Sequence, residues 1–530
     1  MGKIKMIYID PPYNTGKDFI YKDSFKKNLF EYEKDGGQRN KDGARLVSNP
    51  ETSGRFHSDW LSMMLPRLKL ARNLLANNGV IFISIDDGEV ANLRKLCDET
   101  FGENNFISQI IWHNSSRVSD YIAIEHEYVL VYAKNISFLE SWRIKRKESE
   151  DILSGIKKIR KGRGSVEDGI KFIKQKIEYY RKKDKENKTK LYSWLSNYVN
   201  IDEDWQVYYP VDLTGEGAGP PRKFGGKLIP APEGRHWMGQ DYIDQLFEEG
   251  RIVYRNDRAY RKLYIQESED NLKSIVTIPT RRGSEYLKGL LGKDIFDKPK
   301  PYDLVKHFAK FALGDCDIAL DFFAGSATTA HAVMQLNAED GGNRRFVMVQ
   351  LPEICNEESE ASKAGYKTIS DIAKERIRRT GEEIVNEEHD SSRNCDVGFR
   401  VLKVDTSNMK DVYYTPDQTD QENLANLVDN IKSDRTHEDL LFQVLIDWGV
   451  DLALPISNEV IQNKKIFFVD GNVLIACFET SVTEELVKEL ADRKPERVVF
   501  RNGGFVSDSV KINAEQIFKQ LSPRTDIKVI

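Results

Sequence analysis

Cysteine is scarce in this chain. Its 530 residues hold five, Cys97, Cys316, Cys355, Cys395 and Cys477, widely scattered and with no CxxC pair. That spacing excludes a disulfide framework or a Cys-ligated zinc site, and it reads as the reduced thiols of a cytoplasmic protein. Histidine is nearly as sparse, with eight residues and no HExxH spacing, so no metal is expected. Long apolar runs are missing too. None approaches the roughly 20 residues that a membrane span needs, so no membrane partner is expected. The beginning of the chain shows no signal-peptide pattern. A positive excess is also lacking: the formal net charge is −5, which is unexpected for a nucleic-acid-binding protein.

The average conceals two opposed regions. From Arg143 to Lys190, 18 Lys/Arg face 8 Asp/Glu, enough for several phosphate contacts. From Glu353 to Asp447, 22 Asp/Glu face 12 Lys/Arg, as in a solvated or partner-facing region. A chain of this length predicts about three domains or subdomains.

The most informative stretch is Asp10-Pro11-Pro12-Tyr13-Asn14-Thr15-Gly16, entered from the apolar run Met6-Ile7-Tyr8-Ile9. The run predicts a buried strand. The prolines fix φ and remove two backbone donors, and they push Asp10 toward an extended conformation. The Asp10 side chain and the Pro11 carbonyl then offer two acceptors, which fit the two hydrogens of an exocyclic NH₂. Tyr13 can stack on the ring that carries it. Asn14-Thr15-Gly16 lets the backbone turn closely around a ligand. A bare Asp-Pro-Pro would read as a turn after an edge strand; Tyr13, Asn14 and the preceding strand favour a ligand-holding turn.

A second strand–turn–helix lies about three hundred residues later. Asp317-Ile318-Ala319-Leu320 runs into Asp321-Phe322-Phe323-Ala324-Gly325-Ser326-Ala327-Thr328-Thr329, then a helical run, Ala330–Met334. The unpaired N–H groups and partial positive charge of a helix N-terminus suit a carboxylate. Gly325 permits close backbone approach. Just upstream, Phe296-Asp297-Lys298-Pro299-Lys300-Pro301-Tyr302 precedes an amphipathic helix over Leu304–Phe311. Lys300 is either a carboxylate partner or a solvated lysine. A further strand, Phe346–Val349, ends at Gln350 with Glu353 close behind, where nucleotide-binding sheets place an acid for the ribose hydroxyls.

Between these halves the pattern alternates. A helix over Trp60–Ala76 stops at Asn77-Asn78-Gly79. A buried strand, Val80–Ile85, a helix ending at Phe101 and a strand, Val129–Tyr132, follow. Alternation of this kind predicts a parallel sheet. Residues 17–58 read as a polar, Gly-rich loop after the turn, of a kind that often closes over a ligand. His126, in Glu125-His126-Glu127-Tyr128, reads as structural. Residues 141–280 break the rhythm with basic residues and interleaved aromatics, among them Trp142, Phe172, Tyr179, Tyr180, Trp194, Trp205 and Trp237. Such a segment either reads DNA through phosphate and base-edge contacts or is a charged helical hairpin whose aromatics make its own core. Gly215–Arg222 reads as a mobile loop. After a charged linker near 385, a small α/β module is expected. It has a hairpin over Ile466–Val469 and Val473–Ala476, a capping box at Ser481-Val482-Thr483-Glu484 and a strand at Val498–Phe500.

These motifs resemble those of amino-group DNA methyltransferases. Asp10-Pro11-Pro12-Tyr13 resembles their motif IV, in which the aspartate and first proline carbonyl bind the target amine and the aromatic residue stacks on a flipped base. Asp321–Thr329 resembles motif I, with Ala327 in place of the usual second glycine, and the Lys300 segment resembles motif X. The motif order resembles the permuted β class. The whole chain, and especially Val473–Phe478, Pro495–Phe505 and Asn513–Ile530, resembles the modification (Mod) subunit of type III restriction–modification systems. The resemblance implies an α/β fold: a doubly wound, Rossmann-like sheet with an inserted target-recognition region and a small C-terminal α/β domain. It divides the chain into a catalytic half (1–140), a recognition insert (141–280), an S-adenosylmethionine-binding half (281–385) and a C-terminal domain for subunit interaction (386–530). Asp10, Pro11, Pro12 and Tyr13 would be catalytic. Asp321, Phe323, Gly325, Ser326, Thr328, Lys300 and Gln350 would bind S-adenosylmethionine. The implied reaction is direct N6-adenine methylation of a short asymmetric duplex site, with the adenine flipped out. The implied partners are a second Mod subunit and an ATP-dependent restriction (Res) subunit.

Alternatives stay open. A stand-alone adenine-N6 or cytosine-N4 methyltransferase presents the same NH₂ to the same acceptors. An RNA methyltransferase and a non-catalytic DNA- or Res-binding remnant are the others. The resembled family carries a longer segment before motif IV, whereas here Met1–Ile9 alone precede Asp10; the expectation is a late start codon or a shortened protein that binds its methyl donor weakly.

Overall fold

Alternate side chains of Ile4–Ile9 (β1) enter two different cores: Met6 and Tyr8 one, Ile7 and Ile9 the other. A strand buried on both faces must be apolar throughout, which explains the unbroken run. The computed structural model describes residues 2–15, 19–21, 46–48, 55–114, 120–187, 192–256, 258–387, 395–410 and 431–530. Its chain forms two compact units, Met1–Phe399 and Arg400–Ile530.

The first unit is built on a seven-stranded sheet. Its elements are β1, α1 (Phe56–Leu74), β2 (Leu75–Ile85), α2 (Val90–Phe101), β3 (Phe106–His113), β4 (His126–Ala133), β5 (Ile275–Thr277), α3 (Arg281–Leu291), α4 (Tyr302–Ala312), β6 (Ile318–Asp321), α5 (Thr328–Asp340), β7 (Arg345–Met348) and α6 (Ile369–Glu387). The strand order is β5-β3-β4-β2-β1-β6-β7. Leu304, Val305 and Phe308 of α4, with Ala332 and Val333 of α5, cover one face; Trp60, Met64 and Leu68 of α1, with Leu93 and Cys97 of α2, cover the other. Phe82 illustrates the packing. It is fully buried, stacked 4.9 Å from the Phe308 ring and 5.8 Å from that of Trp142.

The sheet is mixed, not wholly parallel as the alternation suggested. β4 runs antiparallel to β2 and β3. Only residues 114–125 separate β3 from β4, a short link for a parallel return, which usually takes a crossover helix. α1 also ends at Leu74, short of Ala76. Leu75 is buried and pairs with Ile4, so it belongs to the sheet. Asn77-Asn78-Gly79 is therefore part of β2, and Gly79 is needed there because a Cβ would meet the Ile4 carbonyl at 2.8 Å.

The segment between β4 and β5 leaves and returns through a two-strand ladder, Arg143–Lys145 against Glu269–Asn271. It holds a helical pair, Lys147–Lys161 and Val166–Asn187, and a four-stranded antiparallel sheet that includes Val207–Asp212 and Arg258–Tyr264. Most of its aromatics build two small cores, one with Tyr180, Trp194 and Trp205, the other with Phe224 and Trp237. Tyr179 stays exposed between Lys176 and Lys183. The supposed mobile loop is partly ordered, since Gly215 and Glu216 pair with His236 and Arg235.

The second unit is a five-stranded sheet with helices on both faces. Its hairpin is Lys464–Val469 with Leu474–Cys477. The following helix, Glu484–Asp492, is capped by Thr483, whose side chain accepts from Leu486 N–H. The expected cap, Ser481, instead takes a left-handed backbone, φ 58°. Among the described residues no helix is long and apolar enough to cross a membrane.

Candidate active site

Parallel pairing of β1 with β6, with Ile7 opposite Leu320, delivers the turn after each strand to one edge of the sheet. Two motifs three hundred residues apart thus become neighbours. Chemistry in open α/β sheets gathers at such an edge.

The turn after β1 is braced from outside. Trp60 Nε1 donates to the Pro12 carbonyl at 2.7 Å. Asn14 adopts φ 60°, a left-handed conformation that asparagine tolerates better than most residues. Its side chain donates to Glu89 Oε1 at 2.6 Å. Buried Glu89 also accepts from Asn92 at 2.8 Å and meets His57 Nδ1 at 2.6 Å. Gly16 and most of the 17–58 loop lie outside the described residues.

Asp10 and Tyr13 meet two residues from elsewhere in the chain. The Tyr13 hydroxyl donates to Glu127 Oε2 at 2.8 Å and accepts from Lys300 Nζ at 2.6 Å. Lys300 Nζ also donates to Glu127 Oε2 at 2.9 Å and lies 3.3 Å from Asp10 Oδ1. It sits over the Tyr13 and Trp112 rings, 4.6 and 5.0 Å from their centres. Asp10 Oδ1 is enclosed, and beyond its ion pair with Lys300 it has no well-aligned hydrogen-bond donor among the described residues. Burial raises the Asp10 carboxyl above its ordinary range, although the Lys300 charge opposes it. Burial works against the Lys300 charge, but the carboxylates of Asp10 and Glu127 prevail and hold it protonated. Burial, reinforced by the same two carboxylates, keeps the Tyr13 phenol neutral.

The turn after β6 is held by its own first residue. Asp321 Oδ1 accepts from Phe323 N–H at 3.0 Å, and Oδ2 from Thr329 Oγ1 at 2.7 Å. Burial pushes the Asp321 carboxyl up to about 7. Gly325 takes φ 51°, and its N–H donates to Gln350 Oε1 at 2.7 Å. Gln350 Nε2 in turn donates to Glu353 Oε1 at 3.0 Å. Ala327 takes φ 64° at full burial. The turn therefore demands the left-handed conformation at 327 that a glycine usually supplies, and alanine carries it. Beneath the loop lies Arg376 of α6, wholly buried. Its Nη1 donates to Ser326 Oγ and Thr328 Oγ1, each at 2.8 Å. Burial pulls the Arg376 guanidinium down to about 10.

Asp10, Tyr13 and Lys300 thus form one cluster. Asp321, Phe323, Gly325, Ser326, Thr328 and Gln350 lie on the adjoining turn and its supports. Lys300 spans both: its side chain enters the Asp10 cluster, while its carbonyl accepts from Thr328 Oγ1 at 3.4 Å. Residues 4–378 match the DNA methylase family. The Mod subunit of the type III restriction-modification enzyme EcoP15I of Escherichia coli is 31% identical over 95% of this chain and 78% of its own length.

The chain belongs to the DNA methylase family, among its type III Mod subunits.

The StyLTI Mod subunit of Salmonella typhimurium is 34% identical over 75% of this chain and 56% of its own length. A solved structure of TTHA0409 from Thermus thermophilus, complexed with S-adenosyl-L-methionine, is 12% identical over 72% of this chain and 87% of that one, with a TM-score of 0.27. Four residues that contact or brace these turns, Glu127, Glu89, Trp60 and Arg376, were not marked by the sequence as site residues. Glu127 had a signal, an acid just ahead of an apolar strand. Arg376 lay within the Glu353–Asp447 stretch that reads as solvated or partner-facing.

Proposed function

We propose that this methylase transfers a methyl group from S-adenosylmethionine to the N6 amine of an adenine in a short asymmetric site of duplex DNA, as the modification subunit of a type III system. The observation that carries the reading is Asp10 Oδ1: an enclosed carboxylate oxygen with acceptor capacity left beyond its Lys300 ion pair, beside Tyr13, at the sheet edge shared with the Gly325 turn. Asp10 and the Pro11 carbonyl take the two amine hydrogens, so that the nitrogen lone pair points away from them. Pro12 stiffens the turn, and Tyr13 stacks on the flipped base. The acceptors are fixed before the base arrives, and preorganisation of this kind favours the positive charge that develops on nitrogen. Alignment of the reacting atoms contributes several kcal/mol more.

The Gly325 turn fits the methyl donor. A Cβ at Gly325 would come within 3.4 Å of the Phe296 ring, so the backbone lies close under its cover. The helix N-terminus at Thr328 suits a carboxylate, and Gln350 with Glu353 suits ribose hydroxyls. Asp321, Phe323 and Ser326 shape the turn. When bound, S-adenosylmethionine supplies an electrophilic sulfonium methyl.

In this proposal residues 141–280 recognise the target, 281–385 hold the methyl donor, and 386–530 contact a second Mod subunit or Res. The protein acts in the cytoplasm, on cellular DNA. The test is Asp10→Ala. Labelled methyl transfer to unmethylated duplex DNA should vanish while calorimetry still detects S-adenosylmethionine binding. Near-normal transfer by this variant would overturn the reading.

A further inference from the structure

We propose that Glu127 is a positioning residue of the methyl-transfer site, which holds Lys300 and the Tyr13 hydroxyl so that Asp10 stays available to the target amine. This rests on the reading of Asp10–Tyr13 given above.

The strand direction is the first reason. Because β4 runs antiparallel to β2, with Tyr128 opposite Ile85, its beginning lies at the edge where β1 and β6 end. Glu127 is thereby carried to Asp10 by a strand whose far end points away from the chemistry. The second reason is the distribution of bonds. One ammonium is shared by two carboxylates: it hydrogen-bonds Glu127 at 2.9 Å and ion-pairs with Asp10 at 3.3 Å. Glu127 is itself fixed, since Oε1 accepts from Asn114 Nδ2 at 2.7 Å. Without that second anion, Lys300 would pair with Asp10 alone, neutralise it and compete with the amine for its oxygen. With it, the trio of side chains keeps one negative charge for the nitrogen that becomes positive. The same Glu127 oxygen anchors the Tyr13 hydroxyl and so the plane of the stacking ring.

The experiment uses the full chain with unmethylated plasmid DNA and tritiated S-adenosylmethionine. Glu127→Gln should lower kcat by roughly 100-fold or more, the scale for loss of one preorganised electrostatic contact. Its thermal midpoint and its affinity for S-adenosylmethionine by calorimetry should stay near wild type. Adding Lys300→Met to Glu127→Gln should restore kcat at least about tenfold over Glu127→Gln alone, a non-additivity expected of groups that share one contact. Tyr13→Phe, which leaves Glu127 in place, should also lower kcat while S-adenosylmethionine affinity holds. A wild-type rate in Glu127→Gln or in Tyr13→Phe overturns the inference, as do additive losses in the double variant. Methylation by Asp10→Ala at the wild-type rate removes instead the reading beneath it.

Discussion

Replacing Asp321 by asparagine should remove the pH dependence of stability that this carboxyl gives the turn after β6. The folded carboxyl titrates at about 7 because it is buried; unfolded, it titrates near 4. Between those values the folded chain keeps a proton that the unfolded chain releases. This contribution to stability is therefore complete below about pH 4 and is lost as pH rises toward 7. From pH 5 to pH 8 the loss is about 3 kcal/mol. The asparagine side chain does not titrate. Its carbonyl can still accept from Phe323 N–H, but the acceptor for Thr329 is replaced by an amide, a cost of about 1 kcal/mol. By pH 5 wild type has already lost about 1.4 kcal/mol, so Asp321→Asn should roughly match it there and be about 3 kcal/mol more stable at pH 8. Native-state hydrogen exchange of the α5 amides, compared between the two proteins at each pH, reads this locally. A difference that does not change with pH would refute the reasoning.

Three further outcomes follow from the packing. Phe82→Ala should cost about 3–5 kcal/mol, read by chemical denaturation, because a fully buried ring stacked on two others leaves a cavity. Ala327→Gly should raise the thermal midpoint slightly, since it removes left-handed strain of about 1 kcal/mol, whereas Ala327→Val should lower it. Arg376→Met should weaken S-adenosylmethionine binding roughly tenfold by calorimetry, about 1.4 kcal/mol, through release of Ser326 and Thr328.

Much of this site was legible as local chemistry. The run Met6–Ile9 marked a two-sided strand, and Asp10–Tyr13 and Asp321–Thr329 marked the turns after β1 and β6. Strand direction was less visible: nothing in the apolar pattern of Val129–Tyr132 says which way β4 runs, because periodicity is the same in both senses. Direction decides which end of β4 meets the site, so Glu127 could be seen but not placed. Lys300 was expected at a methyl-donor carboxylate, and its side chain lies with Asp10 and Tyr13. That placement depends on a contact spanning 287 residues of sequence, beyond the reach of any local pattern. Ala327 shows the opposite case. Alanine stands where the resembled motif has glycine, yet Ala327, buried in its cluster, takes the positive φ that glycine would supply. Thr483 displaced Ser481 as the cap because hydrogen bonding selects the residue one position before the helix.

The most direct test is mass analysis of nucleosides from unmethylated duplex DNA incubated with the purified chain and S-adenosylmethionine. The account predicts N6-methyladenine from the wild-type protein and none from Asp10→Ala. N4-methylcytosine in its place, or equal N6-methyladenine from both proteins, would contradict it.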